Sequence, residues 1–186
     1  MHVDHVVMGA ASLAQAEDWC RRELGCEPAG GGKHPLMGTH NRLLRLGERC
    51  YLELIAIDPE APAPTAHRRW FGLDEPATQA RLAQGPALLH WVAAVDDIEQ
   101  ARAALLAEEG CDPGTPTAAA RGDYRWLITI RPDGLPQQAG AVPSLIQWQG
   151  PHPGDALPPS PWRLQALFSD DRLGATLTGP RTVHLP

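Results

Sequence analysis

The pattern of apolar and polar positions is repeated along the chain. Strand-like stretches rich in Val and Leu lie at Val3 to Met8 and at Leu88 to Val95. Each stretch is followed by a capping-box motif that marks the start of a helix, Ser12-x-x-Gln15 in the first copy and Asp97-x-x-Gln100 in the second. Apolar residues at helical spacing then follow each motif. Further strand-like runs lie at 41–46 and 51–57, and at 124–130 and 144–149. With a weaker strand after each helix, the pattern predicts a β-α-β-β-β unit that is used twice.

A shift of 85 positions superposes the two copies, placing His5 on His90. The same shift places Gly25-Cys26-Glu27-Pro28 on Gly110-Cys111-Asp112-Pro113, with each glycine where a helix end favours a left-handed residue. We therefore predict one α+β domain over residues 1–150. Its parts are unit one at 1–57, a linker at 58–86 and unit two at 87–150. Residues 151–186 are predicted to be a proline-rich linker and a tail that either packs on the domain or begins a truncated third unit.

Composition and charge exclude several classes of function. The net charge of −6, from 22 acidic and 16 basic residues, argues against a nucleic-acid partner. No apolar run approaches the roughly 18 residues of a membrane span, and the N-terminus lacks the pattern of a signal peptide. The four cysteines form no Cys-x-x-Cys pair, which favours reduced thiols. We therefore expect a cytoplasmic protein that acts on a small molecule, with neither nucleic acid nor membrane as a partner.

Four polar residues interrupt the otherwise apolar strands: His5, Glu53, His90 and Gln147. A buried carboxylate such as Glu53 needs a cation, a metal ion or a proton. The histidines are equivalent in the repeat, and the other two residues each lie in the last strand of a unit, so two-fold pseudo-symmetry would bring all four together. Two imidazoles, a carboxylate and an amide oxygen suit a divalent first-row metal. The alternative is a His–Glu ion pair among satisfied polar groups of the core.

A polar segment from Gly30 to Asn41 lies between two apolar strands. It contains three successive glycines and the candidate substrate contacts His34, His40 and Asn41. A flexible loop here would fold over the site and contact an anionic or oxygen-rich substrate. The alternative is a hairpin loop whose Thr and Asn satisfy the turn backbone. Trp148 is a further candidate for substrate contact, with packing in the core as its alternative.

The order of these motifs resembles the vicinal oxygen chelate superfamily, which includes glyoxalase I, extradiol dioxygenases and bleomycin-resistance proteins. Val3-Asp4-His5-Val6-Val7 is similar to its opening strand, and Tyr51-Leu52-Glu53-Leu54 to its Glu-bearing strand. A closer resemblance, to the glyoxalase-like domain group, rests on an ordered set of segments: Gly31-Gly32-Lys33-His34-Pro35, Gly38-Thr39-His40-Asn41, Leu145-Ile146-Gln147-Trp148 and His152-Pro153. The resemblance covers about residues 2–150.

The resemblance implies that the two units form a cupped, barrel-like mixed sheet. It also implies that the cup is lined by the ligands of a divalent ion (Zn, Ni, Mn or Fe), namely His5, Glu53, His90 and Gln147. Such an ion would act as a Lewis acid on two vicinal oxygens. Glyoxalase I isomerases carry a carboxylate where this chain has Gln147, and an amide is not a general base. Isomerisation of lactoylglutathione is therefore not expected, and Glu53 remains as the candidate catalytic base.

Two functions follow from this reading of the sequence. The first is a metal-dependent enzyme of the lyase, isomerase or dioxygenase class that acts on a small oxygen-rich substrate. The second is a metal-free protein of bleomycin-resistance type that sequesters a ligand in the same cup. A homodimer is compatible with the architecture, although no residue pattern specifies it.

Overall fold

The computed structural model of the chain describes residues 1–169 and 172–186. Eight strands form one sheet: β1 His2–Gly9, β2 Ala29–His34, β3 Thr39–Arg45, β4 Tyr51–Ile57, β5 Ala87–Ala94, β6 Thr115–Arg121, β7 Tyr124–Ile130 and β8 Ser144–Trp148. The helices are α1 Leu13–Trp19, α2 Pro76–Leu82, α3 Ile98–Glu109 and α4 Pro153–Ala156. The sheet order is β2-β3-β4-β1-β5-β8-β7-β6, strongly curled into a half-barrel. The predicted α+β fold of two βαβββ units is thus confirmed.

The helix signals of the two units act as predicted. The Ser12 hydroxyl accepts a hydrogen bond from the Gln15 backbone N–H at the start of α1, and the Asp97 carboxylate accepts one from Gln100 at the start of α3. A π-helical turn, Cys20–Leu24, extends α1 and ends at Gly25 with φ 61°. Gly110, at φ 65°, ends α3 in the same left-handed conformation. The repeated sequence pattern therefore directs the same local structure twice.

Strands β1 and β5 lie antiparallel at the centre of the sheet and relate the two units. Each is paired in parallel with the last strand of its own unit, so that Val7 lies opposite Glu53 and Val92 lies opposite Ser144. Val92 follows Val7 by 85 positions, the offset of the repeat. The residue equivalent to Glu53 is therefore Ser144, three positions before the predicted Gln147. Because side chains alternate along a strand, this odd offset places Gln147 on the opposite face of the sheet.

A β-bulge precedes each of the two repeat-related histidines. From Val3 to His5, β1 advances two residues while β5 advances one, which leaves Asp4 as the extra residue. A second irregularity lies between Val7 and Met8 of β1, where β5 has Leu89 as its extra residue, 85 positions after Asp4. Simple alternation would place Val3, His5 and Val7 on one face of β1. The first bulge interrupts this alternation, so His5 and Val7 lie on the concave face and Val3 lies on the convex face.

The two faces of the sheet have separate cores. The convex face packs against α1, α3 and the tail, and its buried residues include Val6, Leu54 and Leu145. The concave face forms a cup whose apolar residues include Ile55, Val92 and Ile146. Trp70 and Phe71 belong to the same cluster, and they come from the segment predicted as a linker. The connection between the units therefore covers the cup in addition to joining the repeats.

The polar segment at 30–41 is mostly strand and not a flexible loop. Strands β2 and β3 pair as an antiparallel hairpin, and only residues 35–38 form the turn. Gly31, at φ 83°, allows a very close approach, since a Cβ atom there would lie 2.1 Å from the backbone oxygen of Asn41. The glycines therefore serve close packing of the hairpin, and they fix the residues of this segment in place.

The tail forms a second sheet on the convex face. Its strands are β9 Arg163–Ser169, β10 Arg172–Thr178 and β11 Thr182–His184, in the order β11-β10-β9. Trp162, only 1% exposed, enters the core and donates its indole N–H to the Leu24 carbonyl at 2.8 Å. The tail therefore packs on the domain. None of the helices in the described ranges is long and apolar enough to cross a membrane.

Candidate functional site

The cup on the concave face holds a cavity of about 30 Å³. This is room for about two water-sized groups and lies far below the roughly 300–1,000 Å³ of sites that take drug-sized ligands, so the cup suits only a very small molecule. Aromatic rings line it from Tyr51, Trp70, Phe71, Trp126 and Trp148. Polar groups come from His5, His34, Asn41, Glu53 and Arg121. The cup therefore joins an apolar wall to a small group of hydrogen-bonding and charged side chains.

Asp4 holds His5 in position at one side of the cup. Its Oδ1 lies 2.7 Å from His5 Nδ1, and its Oδ2 accepts from the Trp148 indole at 2.8 Å and lies 3.1 Å from His152 Nε2. Burial alone would raise the pKa of Asp4, but the hydrogen bonds with His152 and His5 hold that pKa well below its usual range. An ionised carboxylate only accepts, so Nδ1 of His5 carries the proton and Nε2 faces the cup. The Tyr51 ring stacks on His5 with centroids 4.6 Å apart.

Glu53 is the carboxylate of the cup, and it is 5% exposed. Its Oε1 accepts a hydrogen bond of 2.6 Å from the Asn41 side-chain amide. Its Oε2 lies 3.5 Å from His5 Nε2, at the limit of hydrogen-bond distance. The structure thus brings His5 and Glu53 together, as the sequence predicts, with one carboxylate oxygen directed at the imidazole.

His34 lies on the other side of Asn41 and is neutral. Its Nδ1 is 3.1 Å from the Thr39 hydroxyl, while its Nε2 faces two donors, Asn41 Nδ2 at 3.3 Å and Arg121 Nη1 at 3.4 Å. Since donors approach Nε2, the ring proton resides on Nδ1. Burial, with the charge of Arg121, lowers the pKa of His34 to about 3. His34 therefore serves the cup as a fixed neutral acceptor.

His90 and Gln147, the other two predicted metal ligands, do not join His5 and Glu53. His90 Nε2 accepts the Ser144 backbone N–H at 3.0 Å, and its Nδ1 is buried without a hydrogen-bond partner in the described part of the chain. The bulge residue before it is Leu89 where unit one has Asp4, so no carboxylate orients this ring. Gln147 Oε1 instead accepts the Ile98 N–H at the start of α3, 3.1 Å away on the convex face.

The predicted group of four ligands is therefore not formed. Across residues 1–169 and 172–186, no three His, Cys, Asp or Glu side chains are grouped so that they could hold a metal ion. The physical reason is the register of β8, which places Ser144 opposite Val92 and directs Gln147 away from the cup.

Of the predicted substrate contacts, three lie in the cup and one lies on the other face of the sheet. His34, Asn41 and Trp148 line the cup, whereas His40 does not. His40 lies between Lys33 and Ala56 in the sheet, and it alternates with Asn41, so its side chain is on the other face. The Trp148 indole N–H is already used by Asp4, which leaves its ring as the part that a ligand could contact.

Sequence reasoning missed several residues of the site. Asp4 adjoins His5 in the sequence, but only the bulge turns the two side chains toward each other. His152 is 1% exposed, and its Nδ1 accepts the Gly154 N–H at the start of α4. Arg121 and Tyr51 carried no sequence signal, because their roles depend on how distant strands meet.

Gln147→Leu is expected to destabilise the fold without altering the cup. The substitution leaves the Ile98 N–H without its acceptor, which costs about 1–2 kcal/mol. Denaturant unfolding measures this loss, and Gln147→Glu, which keeps an acceptor at the helix start, is the matched control that should retain stability. If Gln147→Leu instead removed bound metal at unchanged stability, the assignment of Gln147 to α3 would be wrong.

Acid is expected to destabilise the fold through its buried neutral histidines. Burial lowers the pKa of His90 to about 3, as it does for His34. An unfolded histidine titrates near pH 6.5, so below about that pH the unfolded chain binds protons that the folded state excludes. The free energy of unfolding should then fall by about 1.4 kcal/mol per pH unit for each histidine.

Urea unfolding of wild type and His90→Gln between about pH 7 and about pH 5 tests this expectation. The variant keeps an acceptor for Ser144 but does not titrate, so its stability should depend less steeply on pH. Equal slopes for the two proteins would show that His90 is charged in the folded state.

A family model described as a glyoxalase-like domain matches residues 3–172. Among curated proteins no match is found. Methylmalonyl-CoA epimerase from Mycobacterium tuberculosis is 19% identical with a TM-score of 0.48, and the match covers 79% of this chain and 86% of that chain.

Two further solved structures show a likeness of the same order. A variant of the Streptomyces coelicolor methylmalonyl-CoA epimerase in complex with 2-nitronate-propionyl-CoA is 15% identical, with a TM-score of 0.48 and coverage of 82% of this chain and 97% of that chain. A hypothetical protein from Bacillus halodurans is 18% identical, with a TM-score of 0.44 and coverage of 78% and 91%. At this level of similarity, the substrates of those enzymes do not indicate the substrate of this chain.

Proposed function

Because the chain belongs to the glyoxalase-like domain family, we propose that its cup is the active site of an enzyme that moves a proton on a small oxygen-rich substrate. One observation carries the proposal: Glu53, buried among aromatic rings, directs a carboxylate oxygen at His5 Nε2 over 3.5 Å, while the ionised Asp4 holds the other nitrogen of His5. Buried carboxylate and imidazole groups held this way are typical of general acid–base sites.

In the proposed reaction Glu53 accepts a proton from a carbon beside a carbonyl group. The C–H bond breaks, its electron pair moves toward the carbonyl oxygen, and Glu53 returns a proton to carbon when the intermediate collapses. The proton on Glu53 exchanges with solvent before it returns, so in D₂O the carbon gains deuterium. The hydrogen bond from Asn41 keeps the carboxylate oriented. Asp4 stabilises any positive charge that develops on His5 when the imidazole shares the proton. The aromatic rings lower the local dielectric constant around these groups, which strengthens each of these interactions.

A divalent ion in the same cup is a second candidate, favoured by the geometry of two residues. Ligands bound about 2.0–2.2 Å from a metal stand roughly 3–3.5 Å from each other, and His5 Nε2 and Glu53 Oε2 lie 3.5 Å apart. A carboxylate behind the histidine, as Asp4 is here, is common at metal sites. His5 and Glu53 would hold the ion, which when bound supplies Lewis-acid stabilisation of negative charge. His90 and Gln147 do not complete the set, since their acceptor atoms are used elsewhere.

Hydrogen exchange tests the proposed function directly. Tag-free protein is incubated in D₂O with small 2-oxo acids, hydroxyketones and 1,3-dicarbonyl compounds, and loss of the proton signal beside the carbonyl is followed by NMR. We expect catalysed exchange with at least one class. Binding without exchange would favour the sequestering protein instead. Elemental analysis of wild type, His5→Ala and Glu53→Ala shows whether these two residues bind a metal ion. Measurement of hydrogen exchange after chelation shows whether the reaction requires that ion.

A further inference from the structure

We infer that Arg121 makes the cup selective for short carboxylic acids that carry a carbonyl group beside the carboxylate. The inference rests on the proposed function, since it names the substrate class of the same site. Arg121 ends β6, which is one edge of the half-barrel, and reaches across to residues of β2 and β3 at the other edge. It therefore places a positive charge where the two units meet over the cup.

Some N–H donors of the Arg121 guanidinium are not used by the protein. Its Nη1 donates to Asn41 Oδ1 at 3.0 Å and lies 3.4 Å from His34 Nε2. Its Nε and Nη2 make no hydrogen bond, and no carboxylate lies within 4 Å of it, in the described ranges 1–169 and 172–186. Paired donors of this kind match the two oxygens of a carboxylate. Arg121 also lines the neighbouring groove beside Leu43 and Leu157, so an anion can approach it from outside the cup.

Gly32 fixes the path of the Arg121 side chain. A Cβ atom at Gly32 would lie 2.8 Å from Arg121 Cδ, so the arginine crosses β2 in close contact with the glycine backbone. The Tyr124 ring lies on the other side, 5.8 Å from Arg121 Cζ. A side chain held from two sides loses little freedom when it binds a ligand. The close approach of Arg121 is thus one reason for glycine at position 32, and the backbone φ of 154° is another.

Asn41 sets the distance between this cation and the proton acceptor. Its amide oxygen accepts from Arg121, and its amide nitrogen donates to Glu53 Oε1 at 2.6 Å. Arg121 and Glu53 are therefore separated by the span of one amide group. A carboxylate held by Arg121 would place a carbon one or two bonds further along the substrate near Glu53. That spacing is the one found in a short 2-oxo acid.

Titration with pyruvate and with its neutral analogue pyruvamide tests the inference, followed by calorimetry or by the fluorescence of the tryptophans in the cup. Wild type should bind pyruvate roughly 10- to 100-fold more tightly than pyruvamide, as expected for a hydrogen bond between charged groups. Arg121→Gln should abolish that preference, and Arg121→Lys should retain part of it as a point charge. Gly32→Ala, which displaces the arginine without changing charge, should also weaken pyruvate binding.

The outcome separates this inference from the proposed function. Glu53→Gln should lose exchange but keep or improve pyruvate binding, because it removes a negative charge from the cup. No exchange in wild type with the anion preference intact would refute proton transfer and leave the Arg121 assignment standing. Equal affinity of wild type for the two probes, no binding of pyruvate, or an unchanged preference in Arg121→Gln would overturn the assignment. The wild-type comparison decides the matter even if a variant does not fold.

Discussion

Glu53→Gln is expected to slow substrate hydrogen exchange by about 10²- to 10⁴-fold, the usual contribution of a general base. The amide has nearly the shape of the carboxylate and can still accept the hydrogen bond from Asn41, but it cannot take a proton from carbon. Removing a buried charge that faces only a histidine and an amide should leave the fold at least as stable. The exchange rate should therefore fall, with no loss of ligand binding or of thermal stability.

Two controls sharpen the Glu53 prediction. Glu53→Asp keeps the proton acceptor but withdraws it by one methylene, so it should retain partial activity. Glu60→Gln removes an exposed carboxylate that pairs with Lys33 outside the cup, and it should exchange at the wild-type rate. Exchange by Glu53→Gln within about threefold of wild type would rule out Glu53 as the base.

Asp4→Asn is expected to lower both activity and stability. The ionised Asp4 is 1% exposed and faces His5, Trp148 and His152, whereas an asparagine would offer one acceptor and turn two N–H groups toward these donors. Breaking such a buried set of charged hydrogen bonds costs about 3–5 kcal/mol. Loss of the fixed orientation of His5 should slow exchange by roughly 10–100-fold. Denaturant unfolding and NMR exchange measure the two effects.

The pH dependence of this variant has a defined sign. The pKa of Asp4 is held below its usual range, so the unfolded chain binds the proton first and Asp4 contributes stability above about pH 3.9. The difference between wild type and Asp4→Asn should therefore be full near neutral pH and shrink as the pH falls below that value. His152→Gln, which still offers a donor to Asp4, is the matched control and should exchange normally. Unchanged exchange in Asp4→Asn would show that His5 needs no partner.

Most of the fold was predictable from the repeat, because both units use the same local sequence signals to form the same helices and strands. The helix caps at Ser12 and Asp97 and the strand around Glu53 follow from side-chain chemistry within a few residues. The pairing of His5 with Glu53 was predictable for the same reason, since both residues interrupt apolar strands of one unit.

What the sequence could not reveal depends on register and on distant contacts. A bulge adds a residue without changing the composition of a strand, so the reversal at Asp4 left no signal in the pattern. The prediction for Gln147 failed because unit two has six more residues than unit one before its last strand, which makes Ser144, three positions before Gln147, the equivalent of Glu53. Arg121 and the covering pair Trp70 and Phe71 reach the cup through tertiary packing, which no local pattern encodes.

A crystal structure of Glu53→Gln soaked with pyruvate tests the roles proposed for position 53 and Arg121 together, because it shows where the ligand lies relative to both side chains. We predict the carboxylate on Arg121 and the methyl carbon within about 3–3.5 Å of the side-chain oxygen at position 53, the separation of reacting atoms in a productive complex. Pyruvate bound instead in the hollow of about 290 Å³ lined by Leu89, Leu135 and Leu173 would contradict these roles. So would pyruvate in the cup with its carboxylate away from Arg121.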